Sequence, residues 1–174
     1  GSCAGPVVAH YAELFKDDKK WKAAADELAA RTHELTTFLV DIMGADIRDV
    51  SYDGVVTYHD SCSGLRELGI KDQPRKLLDS VNGLELTEMN EANVCCGFGG
   101  LFSIKLGEIS TAIVDKKTDN IIATPADTLL GGDLGCLMNM SGRLSRRGKN
   151  VKVYHIAEVL AGMTDQPSIG EGER

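Results

Sequence analysis

The sequence predicts an α/β fold, a parallel sheet of about four strands flanked by helices in a Rossmann-like arrangement of three layers. Two observations favour this fold. Short β-prone runs recur four times after residue 50, and stretches of helical composition separate them. Strands and helices that alternate in this way are typical of parallel strands joined by crossover helices.

The predicted elements follow one another along the chain. Before the sheet, apolar residues spaced three or four apart between residues 20 and 43 predict a long core-facing helix that ends at Gly44. The predicted strands are 55–58, 84–87, 128–130 and 151–154. The predicted helices between and after them are 74–81, 108–122, 134–147 and 156–163.

Size and composition limit the class of protein. A chain of 174 residues has room for one compact domain and a smaller appended part. Its net charge of -7 disfavours nucleic-acid binding, which relies on a basic face. No apolar run approaches the roughly 20 residues that cross a bilayer, and the N-terminus lacks the features of a signal peptide, so we expect a cytoplasmic protein. The start at Gly1 rather than at methionine predicts a piece of a longer protein.

Four of the five cysteines follow predicted strands: Cys62 the first, Cys95 and Cys96 the second, and Cys136 the third. Because the carboxyl ends of parallel strands meet at one edge of a sheet, we expect these four thiols to converge on one pocket. Thiolates beside helix N-termini are stabilised as anions, and neighbouring glycines let the backbone approach a ligand closely. The pattern therefore predicts a metal site.

Other interpretations of these cysteines are open. A single cysteine in a cytosolic domain is most often a small buried apolar residue. Disulfide bonds are disfavoured by the odd number of cysteines and by the adjacent pair. Zinc suits four thiolates, although structural zinc ligands usually stand about two to four residues apart, and only Cys95 and Cys96 come close to that spacing.

Three motifs resemble those of a known family. They are HDSC at 59–62, CCGFGG at 95–100 and GGDLGCLMN at 131–139. Together they resemble the cysteine-rich CCG domain found in heterodisulfide reductase, in the iron-sulfur subunits of glycolate oxidase and anaerobic glycerol-3-phosphate dehydrogenase, and in the iron-sulfur proteins of lactate utilisation. The similarity is greatest to the last of these, and region 51–163 resembles the second of two repeats.

The resemblance implies an iron-sulfur cluster, of the [4Fe-4S] type, ligated by Cys62, Cys95, Cys96 and Cys136, with zinc as the alternative metal. Cys3 resembles the last motif of a first repeat and would belong to a separate site. The implied division of the chain is 1–50 for the end of that repeat and a linking helix, 51–163 for the cysteine-rich domain, and 164–174 for a flexible tail.

The function that the resemblance implies is electron transfer, by an oxidoreductase subunit of a cytoplasmic L-lactate-oxidising complex whose other subunits are its partners. Two alternatives use the same kind of site: an iron-sulfur subunit of a glycolate- or glycerol-3-phosphate-oxidising complex, and thiol chemistry similar to that of heterodisulfide reductase. A third alternative is a scaffold, with zinc or without metal, that assembles partner subunits.

Residues near the cysteines add candidate ligands and one departure from the motif. His59 ends the first predicted strand and is a candidate ligand, because imidazole replaces thiolate in some iron-sulfur centres; His155 ends the fourth strand in the same way. Asp60 and Asp133 stand where helices begin and are predicted N-caps. Asn139 replaces the final cysteine of the heterodisulfide reductase motif, which favours four-cysteine ligation or an additional ligand that is not sulfur.

Overall fold

The computed structural model describes residues 1–171, and one parallel sheet lies at its centre. The strands are β1 (Ser51–His59), β2 (Asn82–Leu86), β3 (Thr128–Gly131) and β4 (Lys152–His155). They lie in the order β2-β1-β3-β4, and each neighbouring pair is parallel. The predicted α/β fold with a four-stranded parallel sheet is confirmed, and every predicted strand overlaps an observed one.

Helices connect the strands and cover both faces of the sheet. They are α1 (Tyr11–Leu14), α2 (Lys22–Arg31), α3 (Leu35–Thr37), α4 (Asp72–Asp79), α5 (Leu101–Lys105), α6 (Gly107–Ile122), α7 (Leu134–Arg146) and α8 (Ile156–Leu160). Wider π-helical turns occur at Pro6–His10, Phe38–Ile42 and Ser63–Glu67. The four helices predicted after the first strand are present as α4, α6, α7 and α8, and α5 is an additional one. In the part of the chain that the structure describes, no helix is both long and apolar enough to cross a membrane.

Side chains alternate across the sheet and divide the core into two layers. Leu129 packs in the layer formed with α6 and α7, whereas the next residue, Leu130, packs in the layer formed with α4 and α8. This period of two is the geometry of any strand. In β1, Tyr58 belongs to the layer of α4 and α8, so the next residue, His59, is directed to the face of α6 and α7.

The long helix predicted between residues 20 and 43 does not form, and this part of the prediction is wrong. Helix α2 ends at Arg31, and α3 begins at Leu35. The carboxylate of Glu34 accepts hydrogen bonds from the backbone N–H groups of Thr36 (2.7 Å) and Thr37 (3.4 Å). Such a bond satisfies N–H groups that lack a partner at a helix start, so Glu34 begins a second helix instead of continuing the first.

The apolar residues of this N-terminal region do not face the sheet core. Ala25 is buried, but Trp21 and Leu28 are 51% and 50% exposed. Their spacing of three to four residues identified a helix with an apolar side, yet spacing carries no information on what that side contacts.

The C-terminal segment lies against the sheet as far as it is described. The backbone N–H of Ile169 donates to the carbonyl of Val153 (2.8 Å), and the hydroxyl of Ser141 donates to the carbonyl of Ile169 (2.6 Å). Ile169, in the predicted flexible tail, therefore contacts both β4 and α7. Residues 172–174, the rest of that tail, lie outside the described residues. The division of the chain at residues 50 and 163 stays a prediction.

Replacing Leu129 by alanine should destabilise the fold by about 2–5 kcal/mol, because the change removes a fully buried side chain from β3 and leaves a cavity. Ile104→Ala is the matched control: Ile104 is 80% exposed, and its truncation should change stability by less than about 0.5 kcal/mol. Urea denaturation followed by circular dichroism measures both variants. Equal losses would show that Leu129 is not part of a close-packed core.

Candidate metal centre

The candidate site lies at the carboxyl edge of the sheet, where β1, β3 and β4 end in register. His59 is the last residue of β1, and Cys62 directly precedes the helical turn at Ser63–Glu67. Residues 95–96 lie in the connection between β2 and α5, and Cys136 lies in the first turn of α7, just after β3. His59 therefore ends a strand of the parallel sheet, and Cys62, Cys95, Cys96 and Cys136 follow strands of the same sheet.

Three of these side chains form a buried group. One ligand atom from each of His59, Cys96 and Cys136 lies within 4.8 Å of the other two. Their exposed fractions are 1%, 1% and 7%. Successive side chains of β1 point to opposite faces of the sheet, and His59 points into the core layer that contains both cysteines. This explains why the three side chains lie together. An imidazole nitrogen and two thiols are donors that suit zinc and iron, so this group can hold a metal.

The other candidate cysteines are less enclosed. Cys62 and Cys95 are partly buried, and neither belongs to the group of side chains within 4.8 Å of one another. Burial, followed by the neighbouring Cys95, raises the pKa of the Cys62 thiol. Cys3 is exposed, and the backbone N–H of Ser2 beside it donates to Asp133 (3.3 Å). Joint ligation by four cysteines and a separate site for Cys3 both stay predictions.

Cys96 and Cys136 share a proton unequally. The hydrogen bond from the Cys136 thiol, together with the nearby imidazole of His59 and the N–H of Phe98, lowers the pKa of Cys96 well below its ordinary value, although burial opposes the change. The same hydrogen bond and burial raise the pKa of Cys136. The two shifts have opposite directions, so Cys96 loses its proton more readily than Cys136. A thiolate is the form that binds metal, so Cys96 is the better prepared of the two ligands and Cys136 must release its proton on binding.

His59 is buried, yet neither Nδ1 nor Nε2 has a hydrogen-bond partner within residues 1–171. A buried polar atom without a partner costs about 1–3 kcal/mol. Coordination of a ring nitrogen to a metal would satisfy one of the two. The imidazole of His59 and the two adjacent thiols therefore fit a metal ion or cluster.

The loop after the cysteine pair requires glycine and directs backbone N–H groups to the sulfurs. Gly97 has a φ of 85°, and a Cβ at this position would lie 2.8 Å from the carbonyl oxygen of Ser110. Its N–H donates to Cys95 Sγ (3.3 Å), and the N–H of Phe98 stabilises the Cys96 thiolate. Hydrogen bonds of this kind stabilise thiolates and also tune iron-sulfur centres.

An ion-pair network stabilises the loop that leads to the cysteine pair. Arg75 forms a bidentate pair with Asp60, at N–O distances of 2.7 and 3.0 Å, and a second pair with Glu88, at 2.6 and 3.1 Å. The backbone N–H of Asp60 also donates to the carbonyl of Ala92 (3.2 Å). The predicted N-cap role of Asp60 is wrong, because its carboxylate binds Arg75 and ties the end of β1 to the loop before the cysteines. Sequence reasoning missed Arg75, since its partners come from separate elements.

Polar residues on α7 and β4 have different roles. Asp133 accepts a hydrogen bond from the N–H of Cys136 (3.3 Å), which confirms its predicted role as an N-cap. His155 uses Nδ1 to cap α8 (3.1 Å), so that nitrogen already has a partner. Asn139 donates Nδ2–H to the carbonyl of Cys96 (3.0 Å) and so connects α7 to the cysteine pair. The sequence marked Asn139 only as the absence of a cysteine, and its contact becomes visible only in the fold.

A family model matches the part of the chain that contains the candidate site. The model is described as a cysteine-rich domain, CCG, and it matches residues 56–141. This region includes His59, the cysteine pair and Cys136.

Relatives that share the name lactate utilization protein A are similar to most of the chain. The protein of Geobacillus kaustophilus (strain HTA426) is 49% identical over 160 residues, which are 92% of this chain and 66% of the relative. The protein of Geobacillus sp. (strain WCH70) is 49% identical over 160 residues, 92% of this chain and 67% of the relative. Lactate utilization protein A 2 of Bacillus cereus (strain Q1) is 48% identical over 161 residues, 92% of this chain and 66% of the relative. The chain spans about two thirds of the length of these relatives.

In the reduced, metal-free protein, Cys96 should be a thiolate at neutral pH. Because its pKa is lowered, the anion persists as pH falls through the range, near about 8.5, in which an ordinary thiol takes up a proton. Cys96→Ser should abolish the ultraviolet thiolate absorbance, and Cys136→Ser should reduce it by removing the hydrogen-bond donor. Cys3→Ser, the control, should leave it unchanged. A signal that survives in Cys96→Ser would assign the anion to another cysteine.

Proposed function

This chain belongs to the cysteine-rich domain family and is a homologue of lactate utilization protein A, and from that premise we propose that it transfers electrons through an iron-sulfur cluster. The observation that carries the proposal is the buried group of His59, Cys96 and Cys136 at the carboxyl edge of the sheet. Two adjacent buried thiols, one of lowered pKa, and an imidazole that has no hydrogen-bond partner within the described residues form a donor set that an ordinary hydrophobic core does not need.

The proposed ligands of the cluster, of the [4Fe-4S] type, are Cys62, Cys95, Cys96 and Cys136, with His59 as an additional candidate. Two features support ligation by all four cysteines. Cys95 and Cys96 both raise the pKa of Cys62, and Cys62 in turn raises the pKa of Cys136, so the four thiols lie close enough to affect one another. Cys62 and Cys95 are also partly exposed, so a bound group could reach both sulfurs from the surface.

When bound, an iron-sulfur cluster accepts and releases single electrons at a potential set by its surroundings. The chain itself binds the metal through thiolates, and it donates the N–H groups of Gly97 and Phe98 toward their sulfurs. The burial of Cys96 and Cys136 keeps water away from the inner side of the site. Asp133 and Asn139 hold the two ligand-bearing backbones in place.

The names of the relatives are the basis for proposing where the electrons come from. We propose that they come from L-lactate, within a cytoplasmic complex whose other subunits are the partners of this chain. Oxidation of a 2-hydroxy acid to a 2-oxo acid releases two electrons and two protons. We assign that step to a partner subunit and the onward transfer of electrons, one at a time, to this chain.

A zinc-binding scaffold is the second candidate function. The group of His59, Cys96 and Cys136 favours it, because two thiolates and one imidazole are an established donor set for zinc. Competition separates the two functions: anaerobic protein offered iron, sulfide and zinc together should retain iron and sulfide if the first proposal is right, and zinc alone if the scaffold is right.

Replacing Cys95 or Cys96 by serine should abolish assembly of the cluster, since both sulfurs are proposed ligands and a serine hydroxyl is a poor ligand for iron. Cys3→Ser is the matched control and should keep the iron and acid-labile sulfide of the unaltered chain after anaerobic reconstitution. Circular dichroism checks that each variant is folded. Equal loss of iron in all three variants would contradict the assignment of Cys3 to a separate site.

A further inference from the structure

A buried lysine lies beside the loop that carries the cysteine pair. Lys117, on α6, is 2% exposed and is among the largest fully buried side chains. Its ammonium donates to the carbonyl of Glu91 and, at 3.4 Å, to the carbonyl of Ala92. Both carbonyls belong to the segment that leads into Cys95 and Cys96. Lys117 therefore contacts the backbone a few residues before the proposed ligands.

Hydrogen bonds to backbone carbonyls hold the ammonium of Lys117. Among residues 1–171, no carboxylate oxygen forms an ion pair with Lys117 within 4.0 Å. The two carboxylates whose charges reach it have other partners. Glu91 binds Lys116 (2.9 Å) and Asn120 (3.2 Å), and Asp60 binds Arg75.

Lys117 and Cys95 line the same pocket, so the ammonium lies beside the proposed ligands. Burial lowers the pKa of Lys117, and the neighbouring Cys96, Glu91, Asp60 and Cys95 oppose the change, in that order of size. A buried ammonium without any compensating charge is strongly disfavoured in a folded protein. The position of Lys117 is therefore explained if the neighbouring site carries negative charge.

Lys117 also holds the loop in an uncommon conformation. Glu91 has a φ of 54°, in the left-handed region that residues other than glycine seldom adopt. The carbonyl of this same residue accepts a hydrogen bond from Lys117. Strained backbone persists where the surrounding structure holds it, and it is concentrated at functional sites.

We propose that Lys117 is the positioning residue and the counter-charge of the candidate metal centre. It anchors the loop that leads into the cysteine pair, and its positive charge favours additional negative charge on the site. This inference rests on the proposed iron-sulfur function, because reduction of a cluster adds one electron close to a fixed, buried cation. Lys117 thus raises the reduction potential of the site.

Lys117→Met tests the counter-charge, because it removes the charge and keeps a side chain of similar length. Lys116→Met is the matched control: it makes the same change of net charge at the adjacent, exposed residue that pairs with Glu91 in the same loop. In a redox titration of the anaerobically reconstituted chain, Lys117→Met should lower the equilibrium constant for reduction about tenfold, which is about 59 mV for one electron. Lys116→Met should change it less than about twofold, since solvent and salt screen exposed charges. Equal potentials in the two variants would overturn the proposal.

Hydrogen exchange in the metal-free chain tests the anchoring role without any cluster. In Lys117→Met, the backbone amides of residues 91–98 should exchange at least about tenfold faster than in the unaltered chain, because the loop loses the hydrogen bonds from Lys117 to Glu91 and Ala92. Exchange as slow as in Lys116→Met would overturn the anchoring role. If the unaltered chain takes up no iron and sulfide, the proposed function fails, whereas the exchange measurement still decides the role of Lys117.

Lys117→Arg provides a charge-conserving variant. It keeps the positive charge and the capacity to donate to both carbonyls, so its equilibrium constant for reduction should stay within about twofold of the unaltered value. If Lys117→Met does not fold, as judged by circular dichroism, Lys117→Arg decides the question. A tenfold lower equilibrium constant for reduction in Lys117→Arg would overturn the proposed role of Lys117 as a counter-charge. An unchanged reduction potential would support that role.

Discussion

Parallel pairing of the four strands is the constraint on which the candidate site depends, because it brings the carboxyl ends of all the strands to one edge of the sheet. His59, Cys96 and Cys136 are far apart in the sequence and meet only at this edge. Side-chain alternation adds a second constraint. A shift of β1 by one residue would turn His59 to the opposite face, toward α4 and α8, and would dissolve the group.

Regular secondary structure alone does not place the cysteine pair. The connection between β2 and α5 contains neither strand nor helix, so the position of Cys96 depends on contacts made to the loop backbone. The backbone N–H of Asp60 and the ammonium of Lys117 hold Ala92, and Asn139 holds Cys96 itself. The anchors also supply charge, because Arg75 pairs with Asp60 and the buried ammonium of Lys117 lies beside the loop. The same few side chains therefore both position the cysteine loop and set the charge around it.

The strands and the flanking helices could be predicted because local apolar patterns report burial against a sheet, as in Thr128–Gly131 and Leu134–Arg146. The break before Leu35 could not, because periodicity does not register the short-range hydrogen bonds that Glu34 makes. The adjacent Lys116 and Lys117 look alike in the sequence, yet only the second is buried, and its burial depends on carbonyls and anions that come together in the tertiary structure. Asp60 resembled an N-cap for the same reason: its partner Arg75 lies on another element.

Family membership and the geometry of the site support each other. The matched region contains both the end of β1 and Cys136, and the relatives named lactate utilization protein A are similar over 92% of the chain. Electron paramagnetic resonance of the anaerobically reconstituted, reduced protein tests the central claim most directly, namely that this edge of the sheet holds an iron-sulfur cluster. We predict a paramagnetic signal from a reduced cluster, together with equal amounts of iron and acid-labile sulfide. Absence of the signal, with zinc bound tightly by the same side chains, would contradict the claim.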